Sequence, residues 1–324
     1  MRNQALKSSV SFFPVPLPDE LLDSVVYRYH HLSGAPKPAV TLETLFGKAV
    51  NAAPKLLVNR LRCFWEKAAQ NQYKNADDLI NRLTLVPAFG AILDKSQMRS
   101  ARDASYGGLN LGTGTMYRSP IHVVEPELQS CPMCVNEEYE RLGVAYWHRS
   151  HQLDGVQVCH RHGCDLHSVC RHCHHPIRRP RSMDLPQPCC PSCKKPQFVV
   201  FSYTEPVKRL AILANHALSG IVPFCDRRLL ARKVRGLLGE DTAEACHRMR
   251  ELYGSKYINL YPDGFYSFHG DWLEYGFRFR STVRGPESDF MNLPSLGHML
   301  MLVDSLFGSW DSLTAKVQRC RLAA

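Results

Sequence analysis

Paired cysteines and histidines crowd one stretch of this chain: CPMC at 131–134, VCHRHGC at 158–164, CRHC at 170–173 and CCPSC at 189–193. Each holds two soft donors two residues apart, the spacing with which a turn grips one face of a zinc ion. The pairs are Cys131 with Cys134, Cys159 with His162, Cys170 with Cys173, and Cys190 with Cys193. Two pairs complete a tetrahedron, so these ligands suffice for two closed sites. Pairing in chain order places Cys131, Cys134, Cys159 and His162 at one site and Cys170, Cys173, Cys190 and Cys193 at the other. Crossed pairing, as in RING domains, is the alternative; the long gap from His162 to Cys170 disfavours it. Cys189 competes with Cys190, but only Cys190 keeps two residues before Cys193. Cys164, His160, His172, His174 and His175 read as neighbours, with His160 a competitor of His162. A catalytic zinc keeps an open position, whereas here every pair has a partner. Two structural Zn2+ ions are therefore expected, stabilising a segment poor in apolar residues.

The clustering divides the chain. Nine of thirteen cysteines lie between Cys131 and Cys193, and eight of fifteen histidines between His148 and His175. A helical N-terminal domain is expected over 1–125, a tandem zinc-binding module over 126–200 and a helical, basic region over 201–324. In the first part, LLDSVVYRYHHLSG at 21–34 repeats apolar residues at helical spacing, with Asp19 and Glu20 suited to the helix start. TLETLFGK, KLLVNRLRCFWEKAAQ and NADDLINRLTLVPAFG also read as helices. Gly107, Gly108, Gly112 and Gly114 lack a following Gly-Lys-Ser/Thr, so they read as a loop and not a phosphate cradle. In the third part, EPVKRLAILANHALSG is a helix with an apolar stripe. CDRRLLARKVRGLLGED with TAEACHRMRELYG, and LPSLGHMLMLVDSLFGSW with DSLTAKVQRCR, read as helix-turn-helix-like pairs. The fold class expected is mainly α, with small β zinc-ribbon elements.

Composition bounds the function. The 324 residues are 44% hydrophobic and 22% charged, ordinary for a globular protein with a core. Lys plus Arg is 40 and Asp plus Glu is 30, a formal net charge of +10 with pI about 9.0. Such an excess favours a polyanionic partner. No run approaches the ~18 apolar residues of a membrane span. Pro14, Pro16 and Pro18 interrupt the early apolar stretch, so neither an anchor nor a signal peptide is expected and the bacterial cytoplasm is the expected location. Thirteen cysteines there argue for metal and against a disulfide framework.

The stretch CPMCVNEEYERLGVAYWHRSHQLDGVQVCHRHGCDL resembles the signature of the TniQ/TnsD family. The residues that carry it are Cys131, Cys134, Gly143, Tyr146, Trp147, Arg149, Cys159, His162 and Gly163. The Pro-rich opening FPVPLPDELLDSVVYRYHHLSG supports it, and the likeness covers roughly residues 12 to 200. The resemblance implies a target selector of bacterial transposons, without catalytic residues, that recruits an AAA+ ATPase. Some members of that family read double-stranded DNA directly and others ride on a CRISPR RNA-guided complex.

Several basic groups suit phosphate contact. Arg227, Arg228, Arg232, Lys233 and Arg235 form the densest basic helix, with 228, 232 and 235 on one face. Arg178, Arg179 and Arg181 lie on the loop of the second zinc site. Arg278, Arg280 and Arg284 alternate with aromatic residues. Two other readings compete with the adaptor: a zinc-supported transcription regulator, and an HNH-type nuclease built on His148 and His151 beside a zinc knuckle.

Overall fold

The structure is a computed structural model that describes residues 10–47, 61–70, 72–93, 95–106, 127–179, 182–220, 227–239, 242–257 and 296–321. The glycine loop from Gly107 onward, all of KLLVNR and the aromatic stretch carrying Arg278, Arg280 and Arg284 lie outside them. The described residues are mainly helical, and their β content is confined to isolated bridges.

The chain enters as an extended Pro-rich segment that pairs antiparallel with residues 147–149. Leu21 N–H donates to Trp147 O at 2.9 Å and Arg149 N–H to Asp19 O at 2.8 Å. Helix α1 (Leu22–Ser33) follows and stops at Gly34, whose φ of 65° is left-handed. Its apolar face, Leu22, Val25, Val26 and Tyr29, is buried. Asp19 and Glu20 do not serve the helix start as the sequence suggests. Asp19 itself has a φ of 57° and turns its carboxylate to Arg149 and Ser150, while Glu20 accepts from Arg28 Nε at 2.8 Å.

Helix α2 (Pro38–Phe46), α3 (Leu61–Phe64) with a π turn (Trp65–Ala69), α4 (Ala76–Leu83), a 3-10 turn (Val86–Ala91) and α5 (Lys95–Tyr106) complete the first helical layer. Asn75 caps α4, accepting from Asp78 N–H at 2.8 Å. After α6 (Pro132–Leu142) the chain runs through a short 3-10 turn (Ser150–Gln152) and the Cys/His turns. It ends in α7 (Glu205–Leu218), α8 (Arg227–Leu238), α9 (Thr242–Tyr257), α10 (Leu296–Leu306) and α11 (Trp310–Arg321).

Helix α7 joins the halves. It packs on the 3-10 turn after α4 and on α9 and α10, so buried residues from α1 through α11 form one cluster. Polar ties reinforce it. Asp304 on α10 accepts from Arg209 of α7 at 2.7 and 3.2 Å and from the Tyr257 hydroxyl of α9 at 2.5 Å. Asp154 accepts from Gly297 N–H at 2.9 Å and so ends one of α10's free amides. No helix of the described residues is long and apolar enough to cross a membrane.

Candidate metal centres and their supporting shell

The Cys/His turns repeat one backbone device three times. In Cys159-His162-Gly163, Cys170-Cys173-His174 and Cys190-Cys193-Lys194, the residue after the second donor is left-handed, with φ of 70°, 57° and 63°. Its N–H closes the turn onto the carbonyl of the first cysteine, at 2.7, 2.8 and 2.9 Å. Isolated bridges, Val158 with Asp165, Val169 with Pro176 and Cys189 with Pro196, hold the flanks. The fourth pair differs: Cys131 is the N-cap of α6 and its sulfur accepts from Cys134 N–H at 3.4 Å. Pro132 fits the first helical turn, where its missing N–H costs nothing.

These turns bring the donors together in chain order. Cys131, Cys134, Cys159 and His162 form one cluster, and Cys170, Cys173, Cys190 and Cys193 the other; within each, the donor atoms lie within 4.8 Å of one another. Zn–S and Zn–N bonds of about 2.3 and 2.0 Å make tetrahedral edges of about 3.8 Å between sulfurs and about 3.6 Å between sulfur and nitrogen. Cys134 to Cys159 is 3.7 Å, Cys170 to Cys193 is 3.8 Å and Cys173 to Cys190 is 3.7 Å. His162 Nδ1 lies 3.3, 3.4 and 3.6 Å from the sulfurs of Cys131, Cys134 and Cys159. The thiols of the first cluster share protons: hydrogen bonds with Cys134, Cys159 and Cys164, added to burial, push the Cys131 thiol far above its ordinary range, while hydrogen bonds from Cys131 and Cys134 hold Cys159 well below it. A divalent ion would favour the thiolate at each. Both clusters could thus hold a metal ion.

The choice among neighbours also follows from position. Cys190 is buried and Cys189 exposed. His160 lies outside the donor set. Cys164 lies 3.3 Å from Cys131 but outside the donor set, a hydrogen-bonded neighbour of the ligand. Sequence reasoning missed the acid that orients His162. Glu137, one turn along α6, accepts from Nε2 at 2.9 Å and leaves Nδ1 to face the sulfurs. Carboxylate-histidine pairs of this kind orient metal ligands and raise their basicity. Arg161 donates to the same Glu137 at 2.9 Å and approaches Cys134 Sγ at 3.8 Å. The i,i+3 spacing of Cys134 and Glu137 on one helix was the available signal.

Beside the first cluster lies a buried charge clamp. His148 Nε2 is 2.5 Å from Glu138 Oε1, and its Nδ1 is 3.6 Å from Asp19. Burial alone would lower this imidazole, but hydrogen bonds and charge from Asp19 and Glu138 outweigh it and raise the pKa to about 9. Asp19 is held below the usual carboxylate range: burial opposes this, and His148, Arg149 and Ser150 overcome it. Cys134, Glu138 and His148 lie close enough to suggest a third donor set. The 2.5 Å separation is a hydrogen bond, well under the spacing of two ligands on one ion. His148 is therefore committed to two carboxylates, and His151 packs behind it, 1% exposed, with the rings tilted and 4.7 Å apart. Neither is presented to solvent as the nuclease reading requires.

The motif residues now have physical roles. Gly143 ends α6 at φ 72°, and Gly163 supplies the first knuckle's left-handed turn. The Tyr146 hydroxyl donates to Pro18 O at 3.0 Å. Trp147 is fully buried, takes Ser24 Oγ on its backbone N–H at 3.0 Å and donates Nε1–H to Asp184 O at 2.9 Å. Arg149 donates to the α4 carbonyls of Asn81 at 2.6 Å and Thr84 at 3.1 Å. Three motif positions, Tyr146, Trp147 and Arg149, thus staple the Pro-rich opening, α1 and the end of α4 to the segment beside the first cluster.

Residues 11–166 match the TniQ family. This stretch, just under half of the chain, is a TniQ domain. It is also similar to the Tn7 transposition protein TnsD of Escherichia coli, 26% identical over 155 residues, which are 47% of this chain and 30% of that relative. The TniQ match takes in the first cluster whole, the charge clamp and α1 through α6, and stops before the second cluster.

Half of the candidate DNA contacts have described side chains: Arg178, Arg179, Lys233 and Arg235. Arg179 is paired, donating to Asp184 through Nε at 3.0 Å and Nη2 at 3.1 Å. Arg178 is half-buried, and Arg181 lies outside the described residues. On α8, Leu230, Val234 and Leu238 face the core, while Lys233 and Arg235 are half-buried. The side chains of Arg227, Arg228 and Arg232 lie outside the described residues. Helices α8 and α9 do pack as neighbours, and Arg248 of α9 donates to the Leu238 carbonyl at 3.0 Å.

Proposed function

We propose that this chain is a non-catalytic target-selection protein of a bacterial transposon. In this reading it engages double-stranded target DNA, directly or through an RNA-guided complex, and recruits the AAA+ ATPase of the transposition machinery. The observation that carries it is the TniQ match over residues 11–166, which contains the entire first cluster and the residues that staple it to the helical layer. The Tn7 relative supports a place in transposition.

The donor chemistry supports zinc as the ion at both clusters, with Cys131, Cys134, Cys159 and His162 at the first and Cys170, Cys173, Cys190 and Cys193 at the second. Zinc there supplies cross-linking of the fold and no reaction, because four protein donors close the shell against substrate. The helical part through residue 125 and the zinc-binding module over 126–200 then act as a platform, and the basic region over 201–324 as its extension. A cleft of about 780 Å³ borders the second cluster, between α1 and the end of α6. Its two arginines, Arg28 and Arg179, are both engaged by carboxylates, which suits a scaffold better than a catalytic pocket.

The test is a targeted-insertion assay with the transposase and ATPase of the same element. Supplying this chain should direct insertions to one site, and Cys159→Ala should abolish that direction. Insertion that stays directed without the chain overturns the proposal. Co-purification with the ATPase checks the recruitment step separately.

A further inference from the structure

The two clusters lie in chain segments of opposite polarity. Residues 127–165 carry six acidic and three basic side chains, whereas residues 166–204 carry six basic and one acidic. That one acid, Asp184, is consumed by Arg179 and Ser182. With four thiolates and a divalent ion counted as −2, the second segment still holds +3, since six less one less two leaves three.

Three of the six cations sit at the tips of the two knuckles, CRHCHH and CPSCKK. Arg171, His174, Lys194 and Lys195 are exposed there. Their internal ties are slight. Lys194 Nζ donates to Pro191 O at 2.7 Å, and Arg171 reaches Asp165 only at 3.4 Å. Asp165 already accepts from Ser202 N–H at 3.0 Å and Ser202 Oγ at 2.5 Å. At the first cluster, by contrast, the knuckle cation Arg161 is neutralised by Glu137 at 2.9 Å. The two tips are also tied to each other: Phe198 packs against His172 with rings tilted by 32° and centroids 4.1 Å apart, and His172 Nε2 lies 3.1 Å from Pro196 O. The aromatic ring at the tips is thus already occupied by a protein partner, which offers phosphates a cationic ledge and offers bases no stacking face.

We propose that the knuckle face of the second cluster, formed by Arg171, His172, His174, Lys194 and Lys195, grips the phosphates of duplex DNA without reading sequence. This deepens the target-selection reading and rests on it. The acidic first cluster takes no part in the contact. The cations position the chain on a duplex, and sequence choice is left to other elements.

The test is fluorescence anisotropy of the full chain with a random-sequence duplex across a salt series. Arg171→Glu, Lys194→Glu and Lys195→Glu are combined in one variant. Arg62→Glu, Lys74→Glu and Arg99→Glu, all exposed in the N-terminal part, are combined in a control with the same change of charge. Bound metal is measured for both. The knuckle variant should lose at least about tenfold in affinity near 0.1 M salt, and its salt slope should fall by about two to three, near one per phosphate contact. The control should keep the wild-type slope. A metal-replete knuckle variant that binds like the control overturns the proposal, as does wild-type chain that binds no duplex, or a loss confined to single-stranded RNA. In each of those cases the insertion assay still judges target selection independently.

Discussion

His148 is a protonated imidazole clamped between Glu138 and Asp19, and that makes one residue a pH sensor of the fold. Its folded pKa, about 9, exceeds the ordinary 6.5. The stability it adds is fully present below pH 6.5 and is lost as pH rises through about 9. The rise corresponds to about 3 kcal/mol at most. Asp19 has the opposite sign: its depressed carboxyl contributes above its ordinary value and fails as pH falls further. Urea titrations of wild type should therefore lose stability between pH 7 and 9.5, and His148→Gln should be weaker at pH 6.5 but flat over that window. Equal slopes for the two proteins would contradict the clamp. Glu137 permits a second single-residue test. Glu137→Gln keeps the shape of the His162 contact but removes its charge, so affinity at the first cluster should fall about tenfold. Competition with a chromophoric chelator reads this, while the melting temperature at saturating zinc should barely move. The ligands themselves were legible because two-residue spacing is local. Glu137, Asp19 and Glu138 were not recognised as partners, since Asp19 meets Arg149 and Ser150 only through long-range folding.

At the scale of elements, two glycines separate conformation from space. Gly143 and Gly155 have φ of 72° and 80°, so a Cβ strains both backbones. At Gly143 that Cβ meets nothing within 4 Å, whereas at Gly155 it would lie 2.7 Å from the Gly297 backbone. Gly143→Ala should cost about 1 kcal/mol, the price of the left-handed turn alone. Gly155→Ala should cost about 2–4 kcal/mol, because overpacking adds to it and pushes α10 from its seat on Asp154. Thermal melts of the two variants give the comparison, and similar shifts would mean that α10 yields freely. Periodicity revealed α1, α4, α7 and α10, whose apolar stripes lie against the core. It did not reveal α5 (Lys95–Tyr106), because KSQMRSARDASY buries little beyond Met98, Ala101 and Ser105 and is otherwise polar. The π turn at Trp65–Ala69 was equally invisible, since helical spacing does not distinguish a widened turn from a regular one.

For the whole molecule, the two clusters are unequal partners of the core. Cys131, Cys134 and Cys159 belong to the hydrophobic cluster that spans the chain, whereas Cys170 and Cys190 are buried outside it. Cys173 of the second set is exposed, and Cys193 is half-exposed. A chelator would reach an ion held at the second cluster while the fold stands, and one held at the first only when the shared core opens. Zinc release to an excess of chelator should therefore be biphasic. The fast phase should carry one ion per chain and leave far-UV circular dichroism nearly intact. The slow phase should carry the other and coincide with loss of helix, because metal binding free energy at that site is folding free energy. Cys190→Ser should remove the fast phase alone and retain the N-terminal helices. Cys159→Ser should forfeit both the slow ion and most of the cooperative melt. A single phase in wild type, with helix lost in step with the first ion, would show instead that the two clusters stand or fall together.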